Sequence, residues 1–114
     1  MTDGRLPAAL EAAGLMRRAQ ADGDFAAIIR KGDAERGALL LVVNSRGRHA
    51  ACLERRLGLD GAYCWTQVGP GDSADSQEVA EFLAKRARFD ADLWAIELDI
   101  ADAERFIAET TSVG

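Results

Sequence analysis

The chain has 114 residues, of which 48% are hydrophobic and 29% are charged. These values exclude an intrinsically disordered protein and predict one domain over residues 1–114, with an ordered core of about residues 5–108. The formal net charge is −5, and the acidic excess lies in residues 89–114, where Arg105 stands among seven acidic residues. Because nucleic-acid phosphates repel an acidic protein, this balance disfavours nucleic acid as a partner.

The first 44 residues of the chain predict a helix followed by two strands. Residues 6–22 are rich in good helix formers, with Pro7 suited to the first turn. Phe25–Arg30 is typical of a strand, and Lys31–Gly37 is a polar turn. Ala38–Asn44 is almost continuously apolar, which predicts a strand that is buried on both faces near the middle of a sheet.

Two further strands follow, each introduced by a turn. Ser45–Arg48 contains Gly47 and predicts a hairpin, with His49–Arg56 as the returning strand. Asp60-Gly61 is a strong turn signal, and Ala62–Val68 is the fourth predicted strand.

The clearest helix is Asp75–Phe89, where Asp75 and Glu78 have the spacing of a capping box. Asp92–Leu98 alternates in polarity like a strand, and Asp102–Glu109 predicts a short final helix. The order is therefore α-β-β-β-β-α-β-α. We expect an α+β fold whose five-stranded sheet is mixed and mostly antiparallel, with helices packed against it. The first four strands would form a meander, and the fifth would join parallel to a neighbour.

Two sequence blocks resemble a known family. The first is Arg30-Lys31-Gly32-Asp33, followed by Gly37 and a hydrophobic strand. The second runs from Lys85 to Trp94 and is followed by Glu97; Arg17-Arg18 lies on the first helix. Together they resemble the small bacterial family called domain of unknown function 1491, over residues 5–108. The resemblance implies a compact single domain, and supplies no reaction, cofactor or catalytic residue.

The same two blocks contain the residues that we predict to bind a ligand, if they converge on one cleft. These candidates are Arg30, Lys31, Asp33, Arg88, Asp90 and Asp92. Asp90 and Asp92 could hold a hard cation such as Mg²⁺, but two ligands make a poor site, and we favour a structural pairing of Asp92 with Arg88 or Arg30. We therefore predict no metal.

A second candidate is the loop Gln67–Gly71, which leads from a strand into the capped helix. Such a loop can present backbone N–H groups to phosphate, and its position resembles the pyrophosphate loop of the GCN5-related acyltransferases. The spacing before the first glycine is one residue too short, Pro70 lacks a donor, and Asp72 and Asp75 would repel phosphate.

The remaining reactive residues favour simpler interpretations. His49, the only histidine, has no visible catalytic partner and is expected to be a solvated residue at a strand end. Cys52 and Cys64 flank one hairpin, so they could form a redox pair, but two small hydrophobic side chains are favoured. No signal peptide and no membrane-length apolar run is present, which predicts a cytoplasmic protein with free thiols and no membrane partner.

The sequence leaves open whether the chain is an enzyme. We favour a non-enzymatic binding or accessory module, with a protein partner or a homo-oligomer as candidate partners and no cofactor. The alternative is a small acyltransferase-like enzyme, or one that binds a phosphate-bearing ligand, using Gln67–Gly71.

Overall fold

The computed structural model describes residues 6–111, which form three helices and one five-stranded sheet. The elements in chain order are α1 (Ala8–Ala21), β1 (Phe25–Arg30), β2 (Leu39–Ser45), β3 (Arg48–Leu57), β4 (Tyr63–Val68), α2 (Ser76–Phe89), β5 (Trp94–Asp99) and α3 (Ala103–Thr111). This order and the mixed, mostly antiparallel sheet confirm the predicted α+β fold class. Within residues 6–111, no helix has both the length and the apolar character that crossing a membrane requires.

The strands lie in the order β1-β5-β2-β3-β4. β5 pairs parallel to β2, as predicted, and antiparallel to β1. The predicted meander of four strands is wrong, because β5 inserts between β1 and β2 and leaves only β2, β3 and β4 as consecutive neighbours. β5 suits an interior position because Trp94, Ala95 and Ile96 are all buried, so that both of its faces are covered.

The helices cover the sheet on opposite faces. On one face, α1 and α3 pack over a core that includes Leu41, Leu53 and Ile96. On the other face, Val79 of α2 packs against Val42 and Cys52. Adjacent residues of β2 point to opposite faces, so its continuous apolar run fills both layers.

Turns and caps follow the local sequence signals. The Asp75 side chain accepts a hydrogen bond from the Glu78 N–H, and the Glu78 side chain returns one, completing the predicted capping box. Arg46 and Gly47 both have positive φ, which is the conformation of a type I′ hairpin turn. The Asp99 carboxylate accepts hydrogen bonds from both of their N–H groups and so ties this turn to β5.

A charged pair fixes α2 to the sheet. Arg86 of α2 donates two hydrogen bonds to the Glu54 carboxylate of β3, at 2.7 and 3.1 Å. Paired N–H groups that grip both carboxylate oxygens fix geometry better than one contact does. This pair ties α2 to β3.

Candidate functional site

The two sequence blocks meet at one corner of the fold, although they are about 60 residues apart. The Asp33 N–H donates to the Asp92 carbonyl at 3.0 Å, and the Trp94 indole N–H donates to the Asp33 carbonyl at 2.7 Å. The Arg30 guanidinium donates to the Ala91 carbonyl at 2.9 Å. These bonds clamp the loop after β1 onto the turn that leads into β5.

Two glycines of the first block are required by this close approach. A Cβ atom on Gly32 would lie 2.7 Å from Trp94 Cδ1, and one on Gly37 would lie 2.6 Å from the same atom. Both would also run into the Asp92 carbonyl oxygen. The shared pattern of the two blocks therefore has a clear structural role, which is to let one backbone pass directly over another.

The six predicted ligand-binding residues divide into two groups. The first group lies in the corner and consists of the backbone of Asp33 and Asp92 and the side chain of Arg30. The Asp33 carboxylate caps its own turn, because it accepts hydrogen bonds from the Glu35 and Arg36 N–H groups.

The other members of the set lie close by but make fewer contacts. The Asp90 carboxylate accepts from the Asp92 N–H at 3.1 Å, and the side chains of Lys31 and Arg88 are exposed. Within residues 6–111, no ion pair joins Asp92 to Arg30 or Arg88, contrary to the favoured pairing. None of the six residues lines the cavities described below. Ligand binding at this corner stays a prediction.

The loop Gln67–Gly71 also has a structural explanation. Gly69 has a φ of +65°, and a Cβ atom there would lie 2.5 Å from the Phe82 ring of α2. Gln67 and Gly71 line a cavity of about 700 Å³ whose charged lining residues, Asp72, Asp102 and Glu104, are all acidic. That charge opposes a phosphate ligand.

A second cavity combines apolar lining with the Glu97 carboxylate, and we call it the α2 groove. It has a volume of about 640 Å³ and runs between α2 and the strands β1, β2 and β5. Val79 and Leu83 of α2, Val42 of β2 and Ile29 of β1 supply apolar lining, and Glu97 of β5 contributes a carboxylate. Apolar lining with a few convergent polar groups is the usual character of a binding site.

The polar groups of the α2 groove are partly engaged with each other. The Asn44 amide donates to Oε2 of Glu97 at 2.6 Å, which fixes the orientation of that carboxylate. The His49 Nε2–H donates to the Pro70 carbonyl at 3.0 Å, and its buried Nδ1 atom has no partner among the described residues. Asp72 and Asp75 lie along the same groove, with Arg48 as its one Lys or Arg residue. The groove is therefore acidic and rich in hydrogen-bond acceptors.

The α2 groove was not among the sites predicted from the sequence. Glu97 follows the second sequence block, but nothing in the sequence shows that β5 inserts beside β2 and so brings Glu97 next to Asn44. The detectable signal was a carboxylate within the otherwise apolar strand Trp94–Leu98, which lies in the interior of the sheet.

The cysteines are not a redox pair. Cys52 pairs with Val68 and Cys64 pairs with Arg56, so the two thiols are four residues apart along the β3–β4 ladder. At about 3.3 Å per residue this is roughly 13 Å, about twice the Cα separation that a disulfide allows. Both cysteines are free; Cys52 is buried and Cys64 is half-buried. Burial raises the pKa of the Cys52 thiol to about 11.

We expect the two thiols to react with N-ethylmaleimide at different rates in the native protein. Cys64 should be modified first, while Cys52 should react only when the domain unfolds, because burial suppresses both its access and its thiolate form. Intact mass against time measures this difference, and a Cys64→Ser variant should stay unmodified in the native state. Equal rates at the two sites would contradict the buried position of Cys52.

No group of three or more His, Cys, Asp or Glu side chains in the described part of the chain is arranged to hold a metal ion. Asp90 and Asp92 share one hydrogen bond, which the Asp92 N–H donates to the Asp90 carboxylate.

Comparison with known proteins shows a family without an assigned activity. The family model described as protein of unknown function, DUF1491, matches residues 6–108. No curated protein matches the chain.

Solved structures of similar proteins share the whole fold. The crystal structure of a DUF1491 family protein from Caulobacter crescentus CB15 is 29% identical, with a TM-score of 0.79, and the match covers 90% of this chain and 94% of that one. An NMR structure of a DUF1491 family protein from the same organism is 32% identical, with a TM-score of 0.73 and coverage of 86% and 88%. The solution structure of protein Atu0922 from A. tumefaciens is 27% identical, with a TM-score of 0.70 and coverage of 83% and 86%. The resemblance predicted from the two sequence blocks is thereby confirmed, and the chain belongs to the DUF1491 family.

Proposed function

We propose that this chain is a non-enzymatic binding domain that holds a basic segment of a partner protein in the α2 groove. The observation that carries the proposal is the Glu97 carboxylate, which Asn44 orients at 2.6 Å within a groove lined by both apolar and acidic side chains. A lysine or arginine side chain matches this lining, because its aliphatic stem packs on apolar surface while its cation reaches a carboxylate.

Charge and hydrogen bonding favour the same occupant. Glu97, Asp72 and Asp75 outweigh the single cation of Arg48, so the groove attracts a positively charged segment. His49 also lines the groove, and its buried Nδ1 atom has no hydrogen-bond partner among the described residues. His49 is tied to the Pro70 carbonyl rather than paired with a hydroxyl or thiol, which supports binding over nucleophilic catalysis.

A peptide-binding experiment tests the proposal. The probes are fluorescein-labelled 12-residue peptides with one central lysine or arginine in an alanine and leucine background, and a reference peptide with norleucine at that position. We expect fluorescence anisotropy to show binding of the cationic peptides only, and the Glu97→Gln variant to weaken it at least tenfold, as expected when one charged hydrogen-bond partner is lost.

The acidic protein will also attract cationic peptides without specificity, so a matched variant is needed. Glu35→Gln removes the same charge from an exposed loop outside the groove and should change the affinity less than about twofold. Equal effects of the two substitutions, or equal binding of the norleucine peptide, would overturn the proposal. A thermal shift with coenzyme A that persists in Glu97→Gln would instead support the phosphate-ligand alternative at Gln67–Gly71.

A further inference from the structure

β1 is an edge strand with an unusually apolar surface. It pairs with β5 on one side, and no described strand pairs with its other side. Phe25, Ile28 and Ile29 are 56%, 46% and 48% exposed, whereas β4, the opposite edge, contributes none of the exposed large hydrophobic residues in the described part of the chain. An exposed apolar edge is a template for pairing with another strand.

The strand β1 also has few of the features that prevent an edge strand from pairing with another strand. Phe25–Ile29 contains no proline and no charge, and the only irregularity is a bulge between Ile28 and Arg30 at one end. Edge strands that remain unpaired are normally protected by such charges, prolines or bulges along their length. Residues 25–28 of β1, where the strand is regular, have none of these protections against pairing.

The charges that flank β1 determine which strand fits it. Asp24 precedes the strand, and Lys31 follows it directly. If a second β1 runs antiparallel with Ala27 opposite Ala27, then Ala26 lies opposite Ile28. Without the bulge, Asp24 would lie opposite Arg30 of the other copy. The bulge adds one residue after Ile28, so Asp24 of each copy lies beside Lys31 of the other.

We propose that β1 pairs antiparallel with β1 of a second copy of this chain, forming a two-fold symmetric dimer with one continuous sheet. This inference does not require a partner segment in the α2 groove, although Ile29 of β1 also lines that groove. The apolar strand with opposite charges at its two ends is self-complementary, as a two-fold interface requires. The two-fold axis stands perpendicular to the sheet, so both α2 grooves open on the same side of the dimer.

The interface is small. A six-residue strand and its flanking side chains fall at the low end of specific interfaces, so we expect a dissociation constant of about 1–100 µM. Sedimentation equilibrium between about 1 and 500 µM protein covers this range and should show a monomer converting to a dimer. A monomer at every concentration would overturn the proposal.

Charge reversal identifies the surface. Lys31→Glu places two acidic residues in opposition at both ends of the interface and should weaken self-association at least tenfold, and Asp24→Lys should do the same with two basic residues. An equimolar mixture of the two variants restores opposite charges at both ends, so it should form the heterodimer with near wild-type affinity. Lys85→Glu, the same change on an exposed position of α2, should leave the dimer intact.

A further variant and a hydrogen-exchange measurement complete the test. The Asp24 carboxylate accepts from the Ala101 N–H, so if Asp24→Lys does not fold, Asp24→Asn retains that bond while removing the charge. Hydrogen exchange should show protection of the residue 25–29 amides that increases with protein concentration. A dimer that Lys31→Glu and Lys85→Glu leave equally intact, or unchanged β1 exchange, would refute pairing through this strand.

Discussion

The Gly32→Ala variant is expected to be destabilised by about 3 kcal/mol, at the upper end of the cost of overpacking. The added methyl group would enter space occupied by the Asp92 carbonyl oxygen and would lie 2.7 Å from the Trp94 ring. Neither neighbour can move freely, because Asp92 holds the Asp33 N–H and Trp94 is 3% exposed in the core. The midpoint of thermal unfolding should fall by roughly 12 °C or more, since each kcal/mol is worth about 4–8 °C in a domain of this size.

Gly14→Ala provides the matched control for this substitution. Gly14 lies inside α1, where a Cβ atom would meet nothing within 4 Å. Alanine is the better helix former, so this variant should be more stable by about 0.5–1 kcal/mol. Urea unfolding of both variants measures the two free energies. Equal effects would show that the loop after β1 is free to move away from the β5 turn.

The contact between Gly32 and Trp94 explains why the two sequence blocks contain these residues. Gly32 and Trp94 are far apart in the sequence, and the spacing of each block alone does not reveal that they touch. The packing becomes visible only when β5 returns beside β2 and brings Trp94 over the glycine loop. Gly32 and Gly37 of the first block thus take part in one tertiary contact with Trp94 of the second.

Features that depend on neighbouring residues were predictable from the sequence. The capping box of Asp75 and Glu78 and the hairpin at Gly47 each involve residues a few positions apart, so local rules determine them. The continuous apolar run at Leu39–Val43 likewise predicted the central strand, because burial on both faces is needed only in the middle of a sheet.

The strand order and the α2 groove were not predictable in this way. Adjacent strands along the chain usually pair, which favoured a β1–β2 hairpin, but the largely buried strand β5 lies between β1 and β2 instead. The site at Glu97 and Asn44 exists only because of that insertion. The elements therefore follow from local sequence, whereas the site at Glu97 arises only from their arrangement in the sheet.

The Glu54→Gln variant is expected to lose about 1–2 kcal/mol of stability at neutral pH, the usual value of a charge-assisted hydrogen bond in a largely buried pair. Glu54 and Arg86 have side chains that are 12% and 27% exposed. Burial raises the pKa of Glu54, but the hydrogen bonds and charges of Arg86 and Arg56 outweigh it and hold the pKa below its ordinary value of 4.5. The folded state therefore favours the ionised carboxylate.

The pH dependence of unfolding separates this charge effect from a loss of packing. A lowered pKa gives stability that is fully present above the unfolded value and is lost as pH falls through the folded value. The free energies of wild type and Glu54→Gln should therefore differ at about pH 7 and 5, and the difference should shrink as the pH falls below the ordinary value of 4.5. Urea unfolding at these pH values measures the convergence, and Glu35→Gln should follow the wild-type curve throughout. A gap that stays constant with pH would mean that Glu54 acts through its shape, and that the link from α2 to β3 does not depend on charge.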